Sequence, residues 1–266
     1  MNTSAPKKTE IRRVESGGQE RSVQDFVAVE EPLEIRVDGT PAAITMRTPG
    51  HDLELAAGFL FTEGVIEDRD DLQAIAHVDN PSTTRGNTVD TVLAAGVPAA
   101  RRRSADRAMY ASSSCGVCGK ESIERLMKLS PALQHSIAPD SDVLMRLPAL
   151  LREEQSVFEQ TGGLHAAALF DASGTLEVIR EDIGRHNAVD KVVGFRLQAD
   201  RMPIDDRILL VSGRIGFEIV QKALIARIPL VAAVGAPSSL AVELAQRSGM
   251  KLIGFLKNDR YNQYAG

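Results

Sequence analysis

Arg207-Ile208-Leu209-Leu210-Val211-Ser212-Gly213-Arg214-Ile215-Gly216-Phe217 is the stretch whose reading decides the architecture. The apolar run Ile208 to Val211 is too short for a helix and ends in turn residues. It predicts a strand buried on both faces. Ser212-Gly213-Arg214 breaks the run, and a helix is expected from Ile215 to Ala226. The same unit recurs downstream. Pro229 to Ala233 reads as a strand, Ser239 to about Arg247 as a helix, and Lys251 to Phe255 as the last strand. Upstream, His165 to Phe170 and Leu176 to Arg180 read as strands joined by Asp171-Ala172-Ser173-Gly174, and Arg185 to about Phe195 as a helix. Pro148 suits a first helical turn and predicts a helix from there to about Gln160, stopped by Thr161-Gly162-Gly163. Alternation of this kind predicts an α/β fold, a sandwich around a mostly parallel sheet. Ligands of such sheets sit at the carboxyl ends of the strands.

The first half has a different rhythm. Residues up to about Arg21 are polar and aperiodic and read as a flexible tail. Leu33-Glu34-Ile35-Arg36-Val37, the turn Asp38-Gly39, and Ala43 to Met46 predict a β-hairpin. A helix follows through Leu53 and Leu60, and two strands are expected near Leu72 to Val78 and Thr88 to Ala95. The expected organisation is a tail over 1–21, a smaller α+β domain over 22–140 that carries a cysteine loop at 112–120, and a ligand-binding α/β domain over 141–266.

The chain has 266 residues, 43% hydrophobic and 25% charged, as in ordinary globular proteins. Its net charge of −5 argues against a general nucleic-acid binder. The start of the chain has no apolar segment of the secretory kind, and no apolar run is long enough to span a membrane. With two close cysteines, this points to a reducing cytoplasm.

Those two cysteines are the only ones in the chain, in Ser114-Cys115-Gly116-Val117-Cys118-Gly119-Lys120. A helix is expected from Glu121, so the thiols precede a helix start. Unpaired N–H groups there, with Lys120, favour thiolate over thiol. A C-x-x-C pair has several chemistries. Structural zinc needs four ligands and would have to recruit histidines from His51, His77, His135, His165 and His186. A thioredoxin-like couple follows an apolar strand, whereas Arg101-Arg102-Arg103-Ser104 lies upstream here. A sulfur-carrying persulfide and a pair of inert buried thiols remain alongside these.

The turns after the predicted strands hold the other candidates. Asp182 is placed to cap the helix that starts at Arg185. His186 and Asp190 stand one turn apart on it. Arg185 and Arg214 lie at helix starts, where phosphate is favoured. Lys257 and Arg260 follow the last predicted strand, in a stretch that alone reads as a polar turn. Neither a Walker lysine pattern nor an intact G-x-G-x-x-G occurs.

Cys115-Gly116-Val117-Cys118-Gly119, Thr161-Gly162-Gly163-Leu164-His165, Glu181-Asp182-Ile183-Gly184-Arg185-His186-Asn187-Ala188-Val189-Asp190-Lys191 and Ser212-Gly213-Arg214 together closely resemble the formate dehydrogenase accessory sulfurtransferases, the FdhD/NarQ family. The resemblance runs from about Val27 onward. It implies a sulfur carrier that takes sulfur from a cysteine desulfurase as a persulfide. The sulfur goes to molybdenum in the bis(molybdopterin guanine dinucleotide) cofactor, before that cofactor enters formate dehydrogenase. It makes Cys115 the persulfide carrier and Cys118 its partner thiol. It places cofactor binding on Phe255-Leu256-Lys257-Asn258-Asp259-Arg260, with guanosine diphosphate (GDP) as a partial mimic. It implies a homodimer and, for the second half, a three-layer sandwich similar to cytidine deaminase. For such a cofactor, the helix starts at the sheet edge make Arg185 and Arg214 candidates for its phosphates and Asp182 or Asp190 for its guanines, with His186 a further cofactor-binding candidate. A zinc deaminase would need H-x-E and then P-C-x-x-C. Here Ala166-Ala167 follows His165, and the cysteines come first. The standing alternative is a molybdenum-cofactor chaperone whose C-x-x-C is a redox or zinc clip.

Overall fold

In the computed structural model the described residues are 4–80, 84, 86–102, 124 and 132–266. The cysteine loop 112–120, with Cys115 and Cys118, lies outside them, as does most of the stretch after Arg102.

The stretch Ile208–Val211 is strand β9 of a six-stranded sheet. That sheet also contains β7 (His165–Phe170), β8 (Leu176–Asp182), β10 (Leu230–Ala233), β11 (Lys251–Gly254) and β12 (Asn262–Ala265), in the order β12-β11-β10-β9-β7-β8. Side chains alternate between two apolar layers, as the pleat requires. Ala166, Ala168, Phe170, Ile208, Leu210, Leu230, Ala232 and Ile253 face Leu144, Leu147 and Leu151 of a helix over Ser141–Glu154. Ala167, Leu169, Leu209, Val211, Val231, Ala233 and Leu252 join the opposite cluster. There they meet helices over Arg185–Gln198, Phe217–Ile225 and Ser239–Ser248. Apolar runs with no polar face are explained by these two covered faces.

The first half supplies a hairpin, β1 (Lys7–Val14) and β2 (Glu20–Val27), and a four-stranded sheet in the order β4-β3-β6-β5. Its strands are β3 (Glu31–Val37), β4 (Thr40–Arg47), β5 (Leu72–His77) and β6 (Thr88–Leu93), with helix α1 (Asp52–Thr62) after β4 and a single turn α2 (Ala99–Arg102) after β6. The later helices are α3 (Ser141–Glu154), α4 (Ser156–Thr161), α5 (Arg185–Gln198), α6 (Phe217–Ile225) and α7 (Ser239–Ser248). Leu33, Ile35, Leu55 and Leu60 belong to the same apolar cluster as Val189, Val192 and Ile219, so one core runs through both halves. The helices α1 and α5 meet at Gly58 and Gly194. A Cβ at Gly58 would fall 1.8 Å from the Asp190 carbonyl oxygen, and one at Gly194 1.8 Å from that of Glu54. Arg180 of β8 ties the start of α1 through a bidentate pair with Glu54 and stacks over Phe195.

Five expectations are corrected. The tail to Arg21 is mostly a strand pair, because charge and not apolar alternation encodes it. Arg12 pairs with Glu20 and Arg13 with Asp25 across the strands, around Gly17 and Gly18 with φ of 94° and 80°. The main sheet is mixed: β9, β10 and β11 are parallel, but β7 runs against β8 and β9, and β12 against β11. The strand β12 follows the one expected to be last; its sequence, Asn262-Gln263-Tyr264-Ala265, carries little apolar signal. Pro148 lies inside α3, not at its start; burial of Leu144, Leu147 and Leu151 on one face outweighs the lost N–H. The expected single helix also breaks at Gln155. Among the described residues, no helix is long and apolar enough to cross a membrane.

Candidate functional site at the carboxyl edge of the sheet

Because β7 runs against both neighbours, β8, β9, β10 and β11 all end on one edge, and β7 starts there. The helices α5, α6 and α7 begin from the same edge. The loops between are knitted by backbone bonds: Gly235 N–H to Gly213 O at 3.1 Å, Phe255 N–H to Gly235 O at 3.0 Å, and Ser238 N–H to Ile215 O at 2.9 Å. Such close approach needs small residues. A Cβ at Gly235 would stand 2.7 Å from Gly213 O. The Ser238 hydroxyl caps α7 by accepting from Ala241 N–H at 3.3 Å. The caps of α5 and α6 are Gly184 and Gly216, which offer no side-chain acceptor. Their first-turn N–H groups therefore add to the positive potential of the edge.

The edge carries the basic residues expected there. Arg185 and His186 are half-buried at the start of α5, while Arg214, Lys257 and Arg260 are exposed. In the loop after β11, Phe255 is 42% exposed and adopts a left-handed φ of 51°. Lys257 N–H donates to Arg260 O at 2.9 Å, and Arg260 pairs with Asp259 at 3.4 Å. Asn258 faces a groove of about 790 Å³ lined also by Asp140, Ser141 and Arg146. Leu256 turns the other way. It is fully buried against the α3 side of the sheet and anchors the loop instead of facing a ligand.

The two aspartates are likewise placed differently from expectation. Asp182 is fully buried and is not the cap of α5. Its Oδ1 accepts from Gly184 N–H at 2.8 Å and Asn187 Nδ2 at 2.9 Å; its Oδ2 meets Lys191 Nζ at 2.7 Å and accepts from Thr48 N–H at 3.2 Å. Lys191 also donates to Thr48 O at 3.0 Å. This network fixes the turn that presents Arg185 and His186, and it joins that turn to the β4–α1 corner. Asp190 is 1% exposed; it accepts from Thr62 Oγ1 at 2.8 Å and Lys222 Nζ at 2.9 Å. One turn earlier His186 Nε2 lies 2.9 Å from Glu218 Oε2. The His186/Asp190 spacing thus matches Glu218/Lys222 on α6, giving two rungs between the helices. Burial pulls Lys222 down, but Asp190 and Glu63 outweigh it and hold the ammonium above its usual pKa. Local spacing could not show this, since both lysines arrive through tertiary packing.

His165 also belongs to this edge, although the sequence marked it only as one of five histidines a zinc site could recruit and as part of a family-like motif, not as a candidate for the cofactor. The register pairs His165 with Asp182 on one side and places it beside Gly213 on the other. Its appearance one residue beyond the Thr161-Gly162-Gly163 helix stop, at the first position of a strand, was the available signal. Among the described residues, no group of three or more His, Cys, Asp or Glu is arranged to hold a metal ion.

Removing Lys191 tests the internal role of this turn. Lys191→Ala leaves the Asp182 carboxylate buried without its partner, and a loss of about 3–5 kcal/mol is expected in chemical denaturation. A loss below about 1 kcal/mol would contradict that role.

Residues 28–266 match the family model described as the FdhD/NarQ family. The chain belongs to the FdhD/NarQ family. It is 48% identical over 264 residues to the sulfur carrier protein FdhD of Mycolicibacterium paratuberculosis, covering 96% of each chain. It is 50% identical over 248 residues to the protein of the same name from Streptomyces avermitilis, covering 91% of this chain and 88% of the relative. The fold matches a crystal structure of a candidate formate dehydrogenase accessory protein from Desulfotalea psychrophila. The TM-score is 0.77 at 24% identity, over 99% of this chain and 98% of that one. This FdhD/NarQ chain therefore shares its architecture along essentially its whole length with that structure.

Proposed function

We propose that this chain is a sulfur carrier for formate dehydrogenase maturation. In this reading Cys115 accepts sulfur from a cysteine desulfurase as a persulfide, assisted by Cys118, and delivers it to molybdenum in a bis(molybdopterin guanine dinucleotide) substrate. The observation that carries it is the near-full-length identity to relatives named as sulfur carriers. The edge geometry supports the substrate class. Phosphate groups suit two helix starts without side-chain caps, flanked by Arg185 and Arg214. An exposed Phe255 beside Lys257 and Arg260 offers a flat apolar face and further cations for a nucleotide end. The sulfur step itself asks for a thiolate at Cys115, since the thiolate is the attacking species in sulfur exchange. The cytidine deaminase-like description of the second half and a homodimeric assembly belong to the same reading.

The function is tested by rescue. In a host lacking its own family member, this chain is expected to restore formate oxidation, and absence of rescue despite soluble expression would contradict it. The edge is tested separately with GDP. Arg185→Ala combined with Arg214→Ala is expected to weaken GDP binding about tenfold or more, as loss of two phosphate-facing cations should. Unchanged affinity would remove these residues from the site.

A further inference from the structure

His165 stands at the centre of the charged edge, yet the sulfur-transfer reading gives it no task. It is the first residue of β7, which starts where its neighbours β8 and β9 end. By strand alternation it shares a face with Ala167, the face covered by α5 and α6. Its ring passes over Gly213: a Cβ there would lie 3.1 Å from His165 Nδ1 and 3.3 Å from Cε1. A Cβ at position 213 would crowd the imidazole and require it to shift by a few tenths of an ångström, so the ring packs closely between the turn after β8 and the turn after β9.

We propose that His165 is a further ligand-binding residue of this edge, which hydrogen-bonds a phosphate of the docked nucleotide between Arg185 and Arg214 and takes up a proton as it does so. The inference rests on the nucleotide-binding reading of the edge and adds a residue and a proton linkage to it.

The surroundings explain the direction of that linkage. Partial burial lowers the imidazole pKa, and Arg185 lowers it further; Asp182 opposes, and His186 and Arg214 add to the depression. Asp182 is itself engaged by Lys191 at 2.7 Å, and the next charged group across the edge, Glu218 on α6, is taken by His186. The free protein thus disfavours the protonated ring at His165. A phosphate brings negative charge to the same place and favours the protonated ring. The ligand-bound pKa then lies above the free one. Proton uptake accompanies binding, and affinity rises as pH falls through the interval between the two values.

The test uses the full chain and GDP. Calorimetry in buffers of different ionisation enthalpy counts protons taken up by wild type and by His165→Gln, and the ligand's own titration is common to both. The wild type is expected to take up more protons than the variant. Its affinity is expected to gain roughly five- to tenfold more than the variant's between about pH 8 and about pH 6. In the wild type, whose folding is not in question, the ¹⁵N ring signals of His165 are expected to move to the protonated form when GDP is added. Equal proton uptake in the two proteins, or unmoved His165 signals with GDP bound, overturns the inference while leaving the nucleotide site standing. Failure of GDP to bind the wild type overturns the nucleotide site itself, and this inference with it.

Discussion

A Cys115→Ala variant is expected to reduce rescue of formate oxidation to the background of the deficient host, at unchanged protein level. The argument is chemical. A persulfide forms when a thiolate attacks the sulfur held by a donor, and the chain has only two thiols, three residues apart. The expected helix start after Lys120 and the lysine itself favour the ionised form. No residue type other than cysteine can hold a sulfane sulfur, and Cys118, the one other thiol, is assigned the partner role and not the carrier role. Alanine changes the side-chain volume little. The rescue assay, with protein amount measured by immunoblot, checks this. Undiminished rescue would move the carrier role away from Cys115.

The second large effect concerns the crossing of α1 and α5. Gly194→Val is expected to cost at least about 3 kcal/mol of stability, measured by chemical denaturation. The obstacle is rigid: the added Cβ would meet a carbonyl oxygen of Glu54 at 1.8 Å and the Gly58 nitrogen at 2.8 Å. Backbone cannot rotate aside as a side chain can. The two helices would have to separate, opening the core where Ala56, Ala57, Val192 and Val193 pack. It would also disturb the Asp190–Lys222–Thr62 contacts that join both helices to α6. Gly96→Ala, at a glycine with nothing within 4 Å and no positive φ, serves as the control and should stay within about 0.5 kcal/mol. Equal effects at the two positions would contradict the close-crossing account.

The legible part of this fold was its apolar rhythm. Ile208 to Val211 and Leu230 to Ala233 have both faces covered, and a run of consecutive apolar residues encodes that burial directly. Direction was less legible. Nothing in His165 to Phe170 marks it as running against its neighbours, because a strand's composition does not encode which way it is inserted. The β1–β2 pair was hidden for a different reason: its cross-strand signal is charge, as in Arg12 with Glu20, and hydrophobic periodicity does not register it.

The candidate site divides in the same way. Positions at turns after strands were readable, and Arg185, Arg214, Phe255, Lys257 and Arg260 do share one edge. Asp182 and Asp190 carry the same local pattern but serve packing, since Lys191 and Lys222 reach them in the folded chain. Leu256 belongs to the core for a similar reason. Of the residues given a role in sulfur transfer, Cys115 and Cys118 lie outside the described residues, and their assignment rests on sequence and family.

The account stands most directly on whether Cys115 carries sulfur. The purified chain, incubated with a cysteine desulfurase and cysteine, is digested without reductant and read by mass spectrometry. The account predicts an addition of about 32 Da per sulfur atom on the peptide containing Cys115, absent when the desulfurase is omitted. An unmodified Cys115 under those conditions, in protein that instead holds stoichiometric zinc, would contradict it.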